Sequence, residues 1–308
     1  MRILVTGGSG FVGQNLVKKL VELGHDVAIT SSGTEQFIPK VKVLYKSLEG
    51  IDWLKVHGQD LVIHQSANND TRCQDEYEMF RANLYGPIRL FEEAFKGGCK
   101  RFIYASSTAV YGDEPAPYVE GVTKVNPLNK YGKSKAAFDE FAMRFGKEKE
   151  VSVIGFRYCN VYGPGEDHKG RRMSMIGQML RTMMKGNSPT LFEYGEQKRD
   201  WIYVKDVVEA HLCAIRVADV GTIRDIYNMG SGVASTFNEI VDAINEVKFH
   251  RHDYKMSIKP VYVPCPFPDE YQTYTQCDMK KAGDELGFVP RWDLKSGIID
   301  YYQSLIAS

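Results

Sequence analysis

The chain predicts an α/β fold, a doubly wound parallel sheet with a smaller, discontinuous C-terminal substrate domain. Three observations carry this. Residues 1–13 run from a short apolar stretch into glycines spaced by three and then into an amphipathic helix. Apolar runs of strand length then alternate with helix-length amphipathic ones up to about residue 160. Beyond that point Gly163, Pro164, Gly165, Gly170, Gly186 and Pro189 break the chain into shorter segments. Such alternation places helices on both faces of a parallel sheet.

The first element is the run Ile3-Leu4-Val5, ending at Thr6. Gly7, Gly10 and Gly13 follow, and then a helix with Leu16, Val17, Leu20, Val21 and Leu23 on one apolar face, stopping at Gly24. Gly7 permits a tight turn, Gly10 lets a pyrophosphate approach the backbone, and Gly13 lets helix and strand pack closely. The free N–H groups of the helix start then face the phosphates. Strand before and helix after make this turn a dinucleotide site of the Rossmann type.

Further strands are expected at Asp26–Thr30, Val41–Tyr45, Leu61–His64, Arg101–Ala105 and Val151–Arg157, with helices around 77–96 and 131–148. A second strand–helix pattern runs from Trp201–Val204 into 205–218 and then to Ile226–Met229, whereas 260–268 reads as a proline-rich loop. The expected partition gives the dinucleotide domain residues 1–165 and about 201–245. The substrate domain takes about 166–200 and 246–308. The cleft falls between them, outside the carboxyl ends of the strands.

Lys+Arg and Asp+Glu both number 39, so the formal charge is zero, and neither a nucleic-acid nor an anionic membrane partner is expected. No apolar run approaches the ~18 residues of a membrane span. A strand at residue 2 leaves no room for a signal peptide, so a cytoplasmic protein is expected. The six cysteines form no C-x-x-C pair and read as mostly buried free thiols in a reducing cytoplasm. No histidine spacing suggests a metal; His250 and His252 read as solvated.

Tyr131 and Lys135 lie four apart at the start of a helical pattern, so they share a face. A free phenol, with a pKa of about 10, is a poor base at neutral pH. A cation one turn away favours the phenolate, and such a tyrosine takes a proton from an alcohol as hydride leaves the same carbon. Ser106 and Ser107 end the run Phe102-Ile103-Tyr104 at the carboxyl edge of a central strand. A hydroxyl there is placed to bond the reacting oxygen.

Glycine turn, strand-end serine and Y-x-x-x-K, in that order, resemble the extended short-chain dehydrogenase/reductases, the nucleotide-sugar epimerase and dehydratase family. The resemblance covers nearly the whole chain and includes Asn83, the run Arg157–Pro164 and the run Arg199–Asp206. It implies a catalytic set of Ser107, Tyr131 and Lys135. It implies cofactor contacts from Gly7, Gly10, Phe11, Val12, Gly13, Ser31, Ser32, Gln65, Ala67, Asn83, Tyr131 and Lys135. Asn160 and Arg199 match positions that hold the sugar-nucleotide diphosphate, and a homo-oligomer is expected.

Within that family, 4,6-dehydratases place an Asp-Glu pair after the catalytic hydroxyl, and decarboxylating relatives place a glutamate at the second of these positions. This chain has Thr108 and Ala109 there, which leaves oxidation followed by re-reduction. The segment Gly163-Pro164-Gly165-Glu166-Asp167-His168-Lys169-Gly170 resembles the ADP-glycero-manno-heptose 6-epimerases, as do Ser188–Phe192, Lys198–Asp200, Pro266–Pro268 and Tyr271–Gln276. The resemblance makes Lys169 a second acid/base and assigns Asn69, His168 and Tyr271 to the substrate. Inverting an alcohol returns hydride to the opposite face, so proton donors on two sides serve the two orientations of the ketone.

Two places depart from that pattern. The loop Gln65–Cys73 is less similar, which leaves the sugar open. The second strand ends Thr30-Ser31-Ser32, where a ribose-binding acid is usual. Without a carboxylate nothing repels a 2′-phosphate, so NADP is favoured slightly over NAD. The expected function is a nucleotide-sugar epimerase with a tightly held, recycled NAD(P). The alternatives are a UDP-, GDP- or CDP-sugar 4-epimerase or 4-reductase, and a catalytically silent dinucleotide sensor.

Overall fold

The computed structural model describes every residue except 32–40, 46–49, 72, 250–256, 267–271 and 308. In chain order, strand β1 (Arg2–Thr6) leads through the glycine turn into helix α1 (Phe11–Glu22), and β2 (Asp26–Thr30), β3 (Lys42–Tyr45) and β4 (Leu61–His64) follow. Helix α2 (Glu76–Phe80) passes through a wide turn at Arg81–Tyr85 into α3 (Gly86–Lys96). Then come β5 (Arg101–Ser107), α4 (Lys130–Lys149), β6 (Ser152–Tyr158) and β7 (Asn160–Tyr162). The later elements are α5 (Met175–Met184), β8 (Thr190–Phe192), β9 (Lys198–Tyr203), α6 (Val204–Val220), β10 (Arg224–Met229), β11 (Ala234–Thr236) and α7 (Phe237–Phe249). The chain ends with β12 (Val261–Val263), α8 (Lys280–Leu286) and α9 (Leu294–Ile306).

The central sheet has seven parallel strands in the order β10-β6-β5-β4-β1-β2-β3. Its strands are buried on both faces, so they read as continuous rather than alternating apolar runs. Ile3, Val5, Ile63 and Ile103 pack toward one face with Leu16, Val17 and Leu20 of α1 and Val207 and Ala210 of α6. Leu4, Val62 and Phe102 pack toward the other with Leu90 and Phe91 of α3 and Phe138 and Phe145 of α4. Fully burying one such side chain stabilises by roughly 1.5–3 kcal/mol. A third apolar cluster joins Ile176 and Leu180 of α5, Trp201 and Tyr203 of β9, Ile240 of α7 and Ile298 and Tyr301 of α9.

Register fixes where the site stands. Thr6 lies opposite His64, His64 opposite Tyr104, and Ser107 opposite Tyr158. The carboxyl ends of β1, β4, β5 and β6 therefore share one edge, and Gly7, Gln65, Ser107 and Cys159 emerge there together.

Two local expectations are corrected and one is refined. Part of the 260–268 segment is strand: Val261, Tyr262 and Val263 pair in parallel with Thr190, Leu191 and Phe192, and Pro264 confines the strand to three residues by lacking an N–H. The 77–96 helix is continuous but carries one wide turn, because Pro87 has no N–H for the Asn83 carbonyl and the Gly86 N–H reaches back to Arg81. Leu23 is half exposed, since it caps α1 rather than continuing its buried face.

Candidate active site

The glycine turn is tight enough to show why each glycine stands there. Gly7 has φ +64°, and a Cβ on Gly13 would come within 2.1 Å of the Gly7 carbonyl oxygen. The N-cap of α1, Gly10, brings no side chain to its N–H groups. This bare, closely packed helix start fits a dinucleotide diphosphate, with Gly7, Gly10, Phe11, Val12 and Gly13 all lining the cleft above it. The cleft encloses about 660 Å³.

On the opposite wall, Asn129 caps α4 by accepting the Gly132 N–H at 2.9 Å, so Tyr131 falls in the first turn. Gly132 lets that turn press on the 108–110 segment, since a Cβ there would meet the Ala109 carbonyl oxygen at 2.6 Å. Tyr131, Ser107 and Lys135 all line the cleft. Burial raises the Tyr131 phenol, and its hydrogen bond with Ser107 opposes that rise. Lys135 is buried, donates to the Ala105 carbonyl at 2.8 Å and stands 5.9 Å from the Tyr131 ring centre. Burial lowers the Lys135 ammonium to about 8. A buried ammonium this close to the phenol favours its anion, and the same lysine anchors α4 to β5.

Lys169 closes the cleft from a third side. Its Nζ lies 5.1 Å from the ring centre of Phe11 and 3.6 Å from Oε2 of Glu166. Burial lowers its pKa and Glu166 opposes that. Glu166 is fully buried and accepts hydrogen bonds from the Gly163 N–H and from the Ser174 N–H and hydroxyl. Asn15 and Gln14 of α1 donate to the carbonyls of Pro164 and Gly165, both at 2.9 Å. The Gly-Pro-Gly segment is therefore tied to the helix that begins at the glycine turn.

Gln65, Ala67, Asn69, Asn160 and His168 also line the cleft, with His168 on its exposed rim. Gln65 is held between the Tyr158 hydroxyl and His211. Asn83, Ser31 and Arg199 are not among the lining residues. Asn83 is buried and brackets Asn68 with two hydrogen bonds, so it holds the 66–69 loop in place. Ser31 accepts a hydrogen bond from Ser9, and the preceding Thr30 reaches the cleft in its place. Arg199 is buried and donates to the carbonyls of Lys198 and Gln272, while its neighbour Trp201 lines the cleft. Ser32 and Tyr271 lie outside the described residues, as do His250 and His252.

Several contributors were not among the expected site residues. Arg157 pairs with Asp139 of α4 at 2.9 Å, Tyr104 donates to the same carboxylate, and Arg157 also donates to Tyr111. This buried network locks α4 to the sheet and so fixes Tyr131. Tyr158 and Trp201 join the lining from the runs Arg157–Pro164 and Arg199–Asp206, and Arg172 joins it without a sequence signal. Glu166 had one, its i, i+3 spacing to Lys169.

The fold and this cleft define a dinucleotide-binding enzyme. A family model described as the NAD dependent epimerase/dehydratase family matches residues 3–230, and the chain belongs to that family. The chain is similar over its full length to ADP-L-glycero-D-manno-heptose-6-epimerase from Helicobacter pylori, at 31% identity, 96% coverage of that chain and a TM-score of 0.86. It is also similar to UDP-glucose 4-epimerase from Thermotoga maritima with UDP-glucose, at 27% identity, 100% and 99% coverage and a TM-score of 0.86. MoeE5 in complex with UDP-glucuronic acid and NAD matches at 26% identity, 100% and 99% coverage and a TM-score of 0.87. Among the described residues, no helix is long and apolar enough to cross a membrane.

Proposed function

We propose that the chain is a nucleotide-sugar epimerase that keeps and recycles one NAD(P), most similar in action to an ADP-heptose 6-epimerase. The observation that carries this reading is the pair of proton-handling groups on one cleft. Tyr131 comes from α4 and Lys169 from the 167–172 segment, and both face the space above the glycine turn. The bound cofactor supplies a hydride acceptor and donor.

The chain's own groups supply the rest. Tyr131 removes the hydroxyl proton in one orientation of the sugar, with Ser107 bonded to the phenol to steady its anion. Lys169 serves the other orientation, and Glu166 maintains its charge and reach. Asn69, Asn160 and His168 line the part of the cleft left for the sugar nucleotide. The run Thr30-Ser31, with no carboxylate at the end of β2, supports acceptance of a 2′-phosphate and so of NADP.

A 4-epimerase or 4-reductase acting on a UDP-, GDP- or CDP-sugar is the second reading. The full-length likeness to UDP-glucose 4-epimerase favours it. Purified protein incubated with a sugar-nucleotide panel separates these readings. Retained cofactor, inversion at one carbon and no net change in NAD(P)H support an epimerase, and the inverted carbon distinguishes the 6- from the 4-enzyme. Stoichiometric NAD(P)H consumption would make it a reductase.

A further inference from the structure

Cys159 and Cys277 are far apart in sequence and meet in space. Their Sγ atoms are 2.6 Å apart, with both side chains buried. Cys159 follows β6 at the sheet edge that carries the active site, and it lines the cleft beside Asn160. Cys277 belongs to the C-terminal segment that packs along β9, where Thr275 exchanges two backbone hydrogen bonds with the 198–200 strand. The mechanism above uses neither thiol.

The third group nearby is Asp200, and the three ligand atoms lie within 4.8 Å of one another, as in a metal site. The carboxylate is already committed. It accepts hydrogen bonds from the Ser231 N–H and hydroxyl, the Gly232 N–H and the Cys277 N–H. Four donors satisfy its lone pairs and leave little for a cation, so the chemistry on offer is that of two adjacent thiols.

We propose that Cys159 and Cys277 are a modification site, a thiol pair that closes reversibly into an intramolecular disulfide reached through the substrate cleft. A hydroperoxide is the oxidant class. Its O–O bond breaks as the Cys159 thiolate attacks, giving a sulfenic acid and, from hydrogen peroxide, water. The Cys277 sulfur then forms the S–S bond and displaces a second water. The two sulfurs lose two electrons in all, and the peroxide gains them. A dithiol reductant reverses the step. Cys159 is the entry point because it lines the cleft, and Cys277 is the resolving partner because it does not. Burial and the Asp200 charge hold both thiols above their usual pKa, so closure quickens as pH rises.

The test is peroxide titration of the purified protein at two pH values, followed by digestion without reduction and mass spectrometry. Free thiols are expected to fall from six to four. The linked peptides are expected to be assigned by fragmentation to Cys159 and Cys277, not Cys265. Dithiothreitol should restore six. Cys277→Ala should lose the link and leave Cys159 over-oxidised. A bound sugar nucleotide should slow closure by shielding Cys159. Over-oxidation of Cys159 in wild type with Cys277 still free would overturn the proposal, and so would stoichiometric zinc protecting both thiols. The wild-type result stands alone if Cys277→Ala does not fold.

Discussion

Lys135 stands 5.9 Å from the Tyr131 ring centre and donates its hydrogen bond to the Ala105 carbonyl 2.8 Å away. The two residues often read as one Y-x-x-x-K unit thus do different work. Tyr131 presents its phenol to the cleft, and Lys135 holds a buried cation near the ring and joins α4 to β5. Tyr131→Phe is therefore expected to reduce turnover by roughly 10²–10⁴-fold, the usual weight of a general acid–base. Cofactor should remain bound, checked by absorbance of the purified variant alongside initial rates. Unchanged cofactor content with full turnover would move the proton elsewhere.

The Glu166–Lys169 pair makes a prediction about pH. Burial lowers the Lys169 ammonium and Glu166 raises it. Glu166→Gln removes the raising influence, so the basic limb of the rate profile that belongs to Lys169 should move to lower pH. Lys169→Ala should abolish that limb and leave thermal unfolding near wild type. A limb unmoved by either substitution would return Lys169 to the role of a rim contact. Profiles of kcat and kcat/KM for the three proteins decide it.

The glycine turn predicts a contrast between two alanines. Gly13→Ala would drive a Cβ within 2.1 Å of the Gly7 carbonyl oxygen, backbone that cannot step aside. Overpacking of this kind costs roughly 1–3 kcal/mol, and here it also opens the turn, so bound nucleotide should be lost before the fold is. Gly24 is at φ +80° with nothing within 4 Å of its ideal Cβ. Gly24→Ala should cost only the left-handed strain, about 1–2 kcal/mol, with cofactor content unchanged. Calorimetry and cofactor absorbance on both variants check this.

Two buried histidines set an acid limit on stability. His64 is bonded to Thr6 and His211 to the Val207 carbonyl, and burial lowers their pKa values to about 3 and about 4. Unfolded histidine titrates near 6.5, so on acidification the unfolded chain takes up protons first. Their contribution is complete above about pH 6.5 and is lost as pH falls toward 4 and below, at ~1.36 kcal/mol per pH unit for each group. Urea unfolding from pH 7 to pH 4 should show that slope, and His211→Gln should make it shallower.

The central sheet and the dinucleotide turn were legible because each rests on local pattern: strand, glycines at fixed spacing, helix. Tyr131 and Lys135 were legible for the same reason, four residues on one helix. Arg199 and Asn83 were not, because their destinations depend on tertiary register. Arg199 shares a strand face with Trp201 but ends on the Gln272 carbonyl, while Trp201 lines the cleft. Asn83 ends at the Asn68 loop because Pro87 widens its turn. The pairing of Arg157 with Asp139 and Tyr104 was not legible, since the three come from separate elements and match no spacing. Val261–Val263 was hidden by the prolines around it.

The most direct test of the account is proton NMR of a sugar-nucleotide panel turned over by the purified protein in heavy water. Inversion at a single carbon of one sugar is expected, with the original hydrogen retained on that carbon. Solvent deuterium at the inverted carbon would contradict it.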